Sequence, residues 1–211
     1  MTVPASVLTE LEPQDYPAIR ALVRTGDMAL CAGTNAFSRA IRWVTGSPWS
    51  HIALILRLEE IDRVMVMEAV EKIGVRMVPL SRFVSEDSAH HRPYPGDIVI
   101  VRHMDFKRKA SGRRLAEMNE FAADRLGAPF RASEMVKILA RLAAGRFRMK
   151  MPRLLQSDDE FICSEYVAEC LKHVGIEIPW DGLGFIAPYD FAADPRIKAI
   201  ARVLRKPEAD D

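Results

Sequence analysis

The chain has 211 residues, of which 30 are Lys or Arg and 29 are Asp or Glu, for a formal net charge of +1. Its hydrophobic share of 49% is typical of a globular protein, and no apolar run approaches the roughly 18 residues of a membrane span. The balanced charge excludes a global field that would recruit nucleic acid or an anionic membrane, so no specific nucleic-acid partner is expected.

The N-terminal segment contains prolines at positions 4, 13 and 17 and is interpreted as an irregular or partly helical lead-in over residues 1–25. It lacks the basic start and apolar stretch of a secretory signal, which predicts a cytoplasmic location. No linker-like stretch follows, so one domain is expected over residues 1–211.

Strands dominate the first half of the chain. Asn35 is a candidate cap and Gly46 a stop signal for a helix between the first two strands. Apolar runs bounded by turn residues predict five strands, which are TGDMALCAG after its initial turn, HIALILRL, RVMVMEAV, GVRMVPL and DIVIVRH.

Helical periodicity replaces the strand pattern from residue 110 onward. One apolar stripe comprises Leu115, Met118, Ala122 and Leu126, and a second helix is predicted around residues 135–142. The segment FICSEYVAECLKHVG carries Cys163, Val167, Cys170 and Val174 on one helical face. Strands followed by helices predict an α+β fold, with an antiparallel sheet and helices packed against it.

A histidine begins the apolar run HIALILRL, where a buried imidazole needs a hydrogen-bond partner. If the loop to the next strand has an even number of residues, Leu58 pairs with Arg63 and Ala53 lies opposite Glu68. His51 and Glu68 are then diagonal neighbours on one sheet face, and Glu71 points the other way. An odd loop would reverse this choice. The pair is compatible with a structural role as well as a catalytic one.

Cys163 follows the N-cap candidates Ser157, Asp158 and Asp159, which places it near the first turn of a helix. Unpaired N–H groups and the positive end of the helix dipole favour a thiolate there. A thiolate, a histidine base and an acid that orients the histidine form the general pattern of nucleophilic acyl transfer. The alternative is that Cys163 is a small apolar residue of the core.

The three cysteines do not form a disulfide framework. Cys163 and Cys170 would lie about 10 Å apart on one helix, beyond the limit of about 7 Å for bridging. Together with Cys31 they are expected to be free thiols.

The ordered segments GDMALCAG, IRWVTGSPWSHIALI, MEAVEKIGVRMVPL, LGAPF, FICSEYVAECL and IAPYDFA resemble the circularly permuted papain-like cysteine hydrolases. This permuted NlpC-type group includes YiiX/YebB-like peptidases and, more distantly, lecithin:retinol acyltransferase-like enzymes. In that group the histidine strand precedes the cysteine helix, as it does here. The resemblance covers residues 25–192 and implies a papain-like fold.

The resemblance implies that Cys163 is the nucleophile, His51 the base and Glu68 the orienting residue. The candidate substrate contacts are Trp49, Ser50, Phe130 and Ser164. Many relatives carry a tyrosine where this chain has Phe130, which has no hydroxyl to donate. The backbone N–H of Cys163 is therefore the one donor to the oxyanion that we predict.

The implied activity is that of a thiol hydrolase that cleaves an amide bond. The substrate is a peptide, which includes peptidoglycan-type peptides, or an acyl-amide. No cofactor is expected. Two alternatives are compatible with the sequence. One is an acyltransferase or lipid-directed hydrolase with the same triad, and the other is a non-catalytic binding module. The sequence does not determine the oligomeric state. The His-rich loop HHRPYPG with His103 fits no zinc spacing, so no metal is predicted. Basic stretches at residues 106–114 and 145–153 are interpreted as solvated faces, the second also as a flap over the cleft.

Overall fold

The computed structural model describes residues 3–85, 94–130, 162–180 and 186–204. In these ranges seven strands form one sheet in the order β1-β7-β6-β2-β3-β4-β5. The neighbours pair antiparallel, except that β1 and β7 are parallel. The strands are β1 Pro13–Gln14, β2 Asp27–Gly33, β3 His51–Leu58, β4 Arg63–Val70, β5 Gly74–Pro79, β6 Gly96–His103 and β7 Ile197–Val203.

Helices lie between and after these strands. They are α1 Val7–Glu10, α2 Tyr16–Leu22, α3 Ala36–Thr45, α4 Leu80–Ser85, α5 Phe106–Lys109, α6 Gly112–Asp124, α7 Cys163–His173 and α8 Pro188–Ala193, with a 3-10 turn at Glu59–Ile61. The structure confirms the predicted α+β class, and no described helix has the length and apolar character needed to cross a bilayer.

Helix α7 is fixed by burial of one side against the sheet. Tyr166, Val167 and Leu171 are fully buried in a cluster with Leu54 of β3 and Met67 of β4. The Tyr166 hydroxyl also donates to the carbonyl oxygen of Ala122 in α6 at 2.9 Å, which joins the two helices. Truncation of a core leucine such as Leu171 to alanine typically costs about 2–5 kcal/mol. This packing determines where the first residue of α7 lies.

A second apolar cluster covers the other sheet face. It packs Ile19 of α2 and Phe83 of α4 against Ala53 and Ile55 of β3. The β3 strand is therefore covered on both faces, which explains why HIALILRL is apolar almost throughout.

The loop between β3 and β4 has the even length on which the hairpin prediction depends. Leu58 pairs with Arg63, and the four intervening residues are the 3-10 turn Glu59–Ile61 and its C-cap Asp62. Asp62 adopts a left-handed conformation with φ of 48°, which Asp tolerates better than most residues. The register Leu54–Met67 continues the same pairing toward His51.

The other sequence predictions agree with the structure in part. The lead-in is more regular than predicted, because β1 pairs with β7 and Val3 and Val7 join the core. Two elements were not predicted from the sequence: β7, whose lysine and arginine interrupt its apolar pattern, and α4, which lies in the polar connection. The predicted helix around 135–142 falls outside the described residues. Residues Asn35 and Gly46 bound α3 as predicted.

Candidate active site

His51 and Glu68 meet at the end of β3, as the hairpin register predicts. His51 is the first residue of β3 and Glu68 lies on β4. The Nε2 atom of His51 lies 2.6 Å from Oε2 of Glu68, with the imidazole N–H donating to the carboxylate. The His51 side chain is 15% exposed and that of Glu68 is 3% exposed. The imidazole thus forms the more accessible part of the pair.

The other oxygen of Glu68 is held by Arg76. Strand register places Arg76 directly opposite Glu68 across β4 and β5. Its Nε donates to Oε1 of Glu68 at 2.9 Å, and a second guanidinium nitrogen donates to the same oxygen. A buried carboxylate needs such partners to stay ionised. The sequence analysis missed Arg76, although the inward position of an arginine in the alternating strand GVRMVPL was a usable signal.

Cys163 is the first residue of α7, and Ile162 occupies the N-cap position without a side-chain cap. The candidate caps Ser157, Asp158 and Asp159 fall outside the described residues. The first N–H groups of a helix lack intrahelical acceptors, so the Cys163 end of α7 presents donors and a positive partial charge. The Cys163 side chain also hydrogen-bonds with His51. His51 therefore bridges the thiol and the Glu68 carboxylate.

The electrostatics of this bridge favour a protonated imidazole. Burial alone would lower the pKa of His51, but Cys163 and the Glu68 carboxylate outweigh it and raise that pKa from 6.5 to about 10. Burial likewise opposes the charge of Glu68, yet the hydrogen bonds and charges of His51 and Arg76 hold its pKa below the usual 4.5. At neutral pH the site is an imidazolium between a carboxylate and a sulfur atom. A cation beside a thiol stabilises the thiolate.

A tyrosine and a second cysteine lie next to this group. Cys31 pairs with His51 across β2 and β3, and its thiol hydrogen-bonds with the Tyr94 hydroxyl. Burial raises the pKa of Tyr94 well above its usual value, and its interactions with Cys31, Glu68 and Cys163 add to this effect. The Tyr94 ring packs 5.9 Å from that of Phe83. The sequence analysis missed both residues, because only the strand register brings Cys31 to His51.

An apolar cluster surrounds the Cys163 sulfur. Its buried members are Ile41, Ile162, Cys163 and Ala187, and Phe37, Val44 and Phe130 pack against them. Phe130, a predicted substrate contact, is half-buried there with its ring centroid 6.5 Å from that of Phe37. We call this group the Cys163 cluster.

The other three predicted substrate contacts are buried and bonded to the backbone. The indole N–H of Trp49 donates to the Val3 carbonyl oxygen at 3.1 Å, and the side chain is 1% exposed. The Ser50 hydroxyl accepts from the Gly33 N–H at 2.9 Å. The Ser164 hydroxyl donates to the carbonyl oxygen of Ile186. In this structure these side chains hold the backbone around His51 and Cys163.

No group of three or more His, Cys, Asp or Glu side chains within the described ranges is arranged to hold a metal ion. His103 lies at the end of β6, where its Nδ1 accepts from the Asp105 N–H at 3.2 Å. All three cysteines are free and buried, as predicted.

Comparison with known proteins gives the context of this geometry. The profile of a family described as permuted papain-like amidase enzymes, YaeF/YiiX, C92 family, matches residues 23–183. A crystal structure described as the metalloprotein yiiX from Escherichia coli O157:H7 is similar with a TM-score of 0.57 and 19% identity, over 85% of this chain and 97% of that chain. At this identity the likeness shows the fold. Comparison with curated proteins found no match.

The family match spans well over half of the chain and includes His51, Glu68 and Cys163. It confirms the family that the sequence resemblance predicts, and the solved structure agrees with a papain-like α+β fold. The chain belongs to the permuted papain-like amidase family of the YaeF/YiiX type, C92, and is a hydrolase.

Proposed function

We propose that this amidase works through a Cys163–His51–Glu68 triad and a thioester intermediate. The observation that carries the proposal is the bridging position of His51, whose Nε2 lies 2.6 Å from Glu68 while the ring also hydrogen-bonds with Cys163. One nitrogen is committed to the carboxylate, which leaves the other for the sulfur. This arrangement fixes the ring for proton transfer.

The reaction needs two proton transfers through His51. The Cys163 thiolate attacks the carbonyl carbon of the amide, and the imidazolium donates its proton to the amide nitrogen as the C–N bond breaks. A water molecule then attacks the thioester while neutral His51 accepts its proton. The carboxylic acid product leaves, and the thiolate and imidazolium are restored. Glu68 stays ionised throughout and stabilises the imidazolium.

The start of α7 supplies the donor for the developing oxyanion. The backbone N–H of Cys163 is among the first N–H groups of the helix, which have no intrahelical acceptor. A hydrogen bond from such a group to the tetrahedral oxygen strengthens as charge develops, and loss of one oxyanion donor typically costs about 10²–10³ in kcat. Phe130 has no hydroxyl to add to this.

We assign different roles to the predicted substrate contacts. Phe130 lies in the Cys163 cluster and provides apolar contact beside the sulfur. Trp49, Ser50 and Ser164 act as positioning residues, because their polar atoms hold the backbone at the start of β3 and of α7. The substrate is a peptide or an acyl-amide, peptidoglycan-type peptides included, and the expected location is the cytoplasm.

A second candidate function is transfer of the acyl group to an acceptor other than water. The observation that favours it is the Cys163 cluster, since apolar side chains around the sulfur suit a fatty acyl group and exclude water. A non-catalytic binding module, by contrast, gains no support from a thiol within hydrogen-bond reach of His51.

Intact mass spectrometry with a panel of peptidyl and fatty acyl p-nitroanilides tests the mechanism. The expected result is p-nitroaniline release and an acyl adduct mapped to Cys163 at early times, both absent in Cys163→Ala. Addition of an amine acceptor distinguishes the two candidates, because a transferase gives the new amide in preference to the free acid. Release without an adduct, or an adduct on another residue, would exclude the thioester.

A further inference from the structure

An open cleft beside the proposed active site carries two arginines and a tryptophan. The cleft has a volume of about 460 Å³ and is lined by Arg39, Arg42, Trp43, Gly46, Ser47 and Pro48. We propose that it binds a carboxylate of the substrate, so that the enzyme prefers acidic amides. This inference rests on the amidase function proposed above and names the class of substrate.

The cleft is close to the reacting groups because one side of α3 packs in the Cys163 cluster and the other side lines the cleft. Phe37, Ile41 and Val44 of α3 belong to the Cys163 cluster, whereas Arg39 and Trp43 lie on the solvent side of the helix. A substrate that reaches Cys163 therefore passes α3.

Chain geometry limits the distance on the His51 side. Pro48 lines the cleft and stands three residues before His51. Three residues of extended chain span at most roughly 11 Å, so the Pro48 side of the cleft lies within that distance of the His51 Cα. An extended peptide covers the same distance in about three residues. A carboxylate one to three residues from the scissile bond is thus within reach.

Among the residues that the structure describes, no acid compensates the charge of the cleft. The chain contains no Asp or Glu from residue 28 to residue 58, a stretch that includes α3, the loop and all of β3. Within the described part of the chain, neither Arg39 nor Arg42 forms an ion pair with a carboxylate. Two guanidinium groups in one concavity attract an anion.

The two arginines are suited to different tasks. One guanidinium nitrogen of Arg42 donates to the Gly33 carbonyl oxygen at 3.1 Å, which orients the group at the end of β2. Arg39 is exposed and makes no such bond to a described residue, so its planar fork is suited to bidentate contact with a carboxylate.

Trp43 supplies the apolar part of the site. Its side chain is 71% exposed, an unusual position for the largest apolar residue, and it belongs to none of the buried clusters. A flat indole beside two arginines provides a surface for the methylene stem of an acidic side chain. The combination favours Glu-like groups over a bare inorganic anion.

Matched substrates test the proposal. In the first substrate series, peptide p-nitroanilides carry either Glu or Gln at one of the three positions before the scissile bond. In the second series, the Glu or Gln peptide follows the scissile bond. Within each series the Glu substrate is compared with its Gln counterpart. The full-length wild type should show a kcat/KM about tenfold higher for Glu at one or more positions, as expected for a charge-assisted hydrogen bond. In Arg39→Gln the Glu-to-Gln ratio should fall toward one. Trp43→Ala should weaken binding of the Glu peptide, which is measured as a higher KM for that substrate.

Arg113→Gln on α6 is the matched control, because Arg113 is 90% exposed and pairs with Glu117 away from the cleft. It should keep the wild-type ratio. A wild type without preference for Glu, or an Arg39→Gln variant that keeps the preference, would overturn the proposal. Binding to anionic vesicles that Arg39→Gln abolishes, without a Glu preference, would assign the cleft to a lipid surface instead.

A binding measurement separates failure of this site from failure of the proposed chemistry. Fluorescence anisotropy with Cys163→Ala and a labelled Glu-peptide amide reports binding without turnover. Tighter binding of the Glu peptide than of the Gln peptide, removed by Arg39→Gln in the same background, supports the site even if no amide is cleaved. Equal binding of the two peptides refutes it even if the amidase is active.

Discussion

Glu68 faces Arg76 directly across β4 and β5 and divides its two oxygens between two partners. Oε1 accepts from the Arg76 guanidinium, whereas Oε2 accepts from Nε2 of His51. Because the carboxylate is 3% exposed, these partners replace its lost hydration. The arginine keeps Glu68 ionised, and the ionised carboxylate in turn keeps His51 oriented and charged.

Replacement of Glu68 by glutamine should weaken the proton transfers. The variant removes a negative charge that raises the pKa of His51, so the alkaline limb of kcat/KM should move from near pH 10 toward lower pH. Loss of an oriented base typically costs about 10²-fold or more in kcat. A pH profile between pH 5 and 11 measures both effects.

Glu60→Gln is the control for this variant, since Glu60 lies exposed in the turn of the same hairpin. It should leave the profile unchanged. An alkaline limb that stays near pH 10 in Glu68→Gln would show that Glu68 does not act on His51.

Protein stability should depend on the charge of His51 in alkaline solution. Its pKa is raised from 6.5 to about 10 on folding, so the contribution of the charged ring is complete below pH 6.5. That contribution decreases as the pH rises and is lost above about pH 10. Glu68 has a lowered pKa and acts in the opposite sense, since its contribution is present above pH 4.5 and decreases on acidification.

Urea unfolding at pH 6.5, 8 and 10 measures this dependence. The wild type should lose on the order of a few kcal/mol of unfolding free energy over this range, and His51→Gln should lose clearly less. Parallel losses in both proteins would show that other groups account for the change.

For a loop of even length, the His51–Glu68 contact could be predicted from the sequence because that contact depends on local pairing. Side chains alternate along a strand, and a four-residue turn fixes the register, so a hairpin can be worked out without the rest of the fold. The start of α7 at Cys163 was also close to the prediction, since an amphipathic pattern begins there.

Other parts of the site depend on long-range packing that the sequence does not display. Trp49 stands two residues from His51, yet its indole N–H donates to Val3, which lies 46 positions earlier. Tyr94 reaches Cys31 only through the pairing of β6 with β2. Position in the sequence therefore draws attention to Trp49, whereas the proximity of Tyr94 to Cys31 is visible only in the fold.

The three thiols should differ strongly in reactivity toward iodoacetamide. Burial raises the pKa of Cys31 well above its usual value and that of Cys170 to about 12, so both remain protonated at neutral pH. Cys163 lies at a helix start beside an imidazolium, which favours its reactive thiolate form. Peptide mapping after brief treatment at pH 7 should find Cys163 modified at least tenfold faster. In guanidinium chloride all three should react alike, and equal rates in the folded protein would remove the case for an activated nucleophile.

Two cysteine variants on α7 distinguish chemistry from packing. Cys163 is the first residue of the helix, where unpaired N–H groups and the dipole act, and that influence fades within about one turn. Cys170 lies seven residues further on, fully buried with Val167 and Val174, where a thiol fills space.

Cys170→Ala should lower the free energy of unfolding by on the order of 1 kcal/mol and leave turnover largely unchanged. Cys163→Ala should keep a near-native melting temperature and lose all turnover, since it removes the atom that forms the thioester. Thermal melts and p-nitroanilide release measured on both variants decide between the roles, and turnover that survives in Cys163→Ala would end the nucleophile assignment.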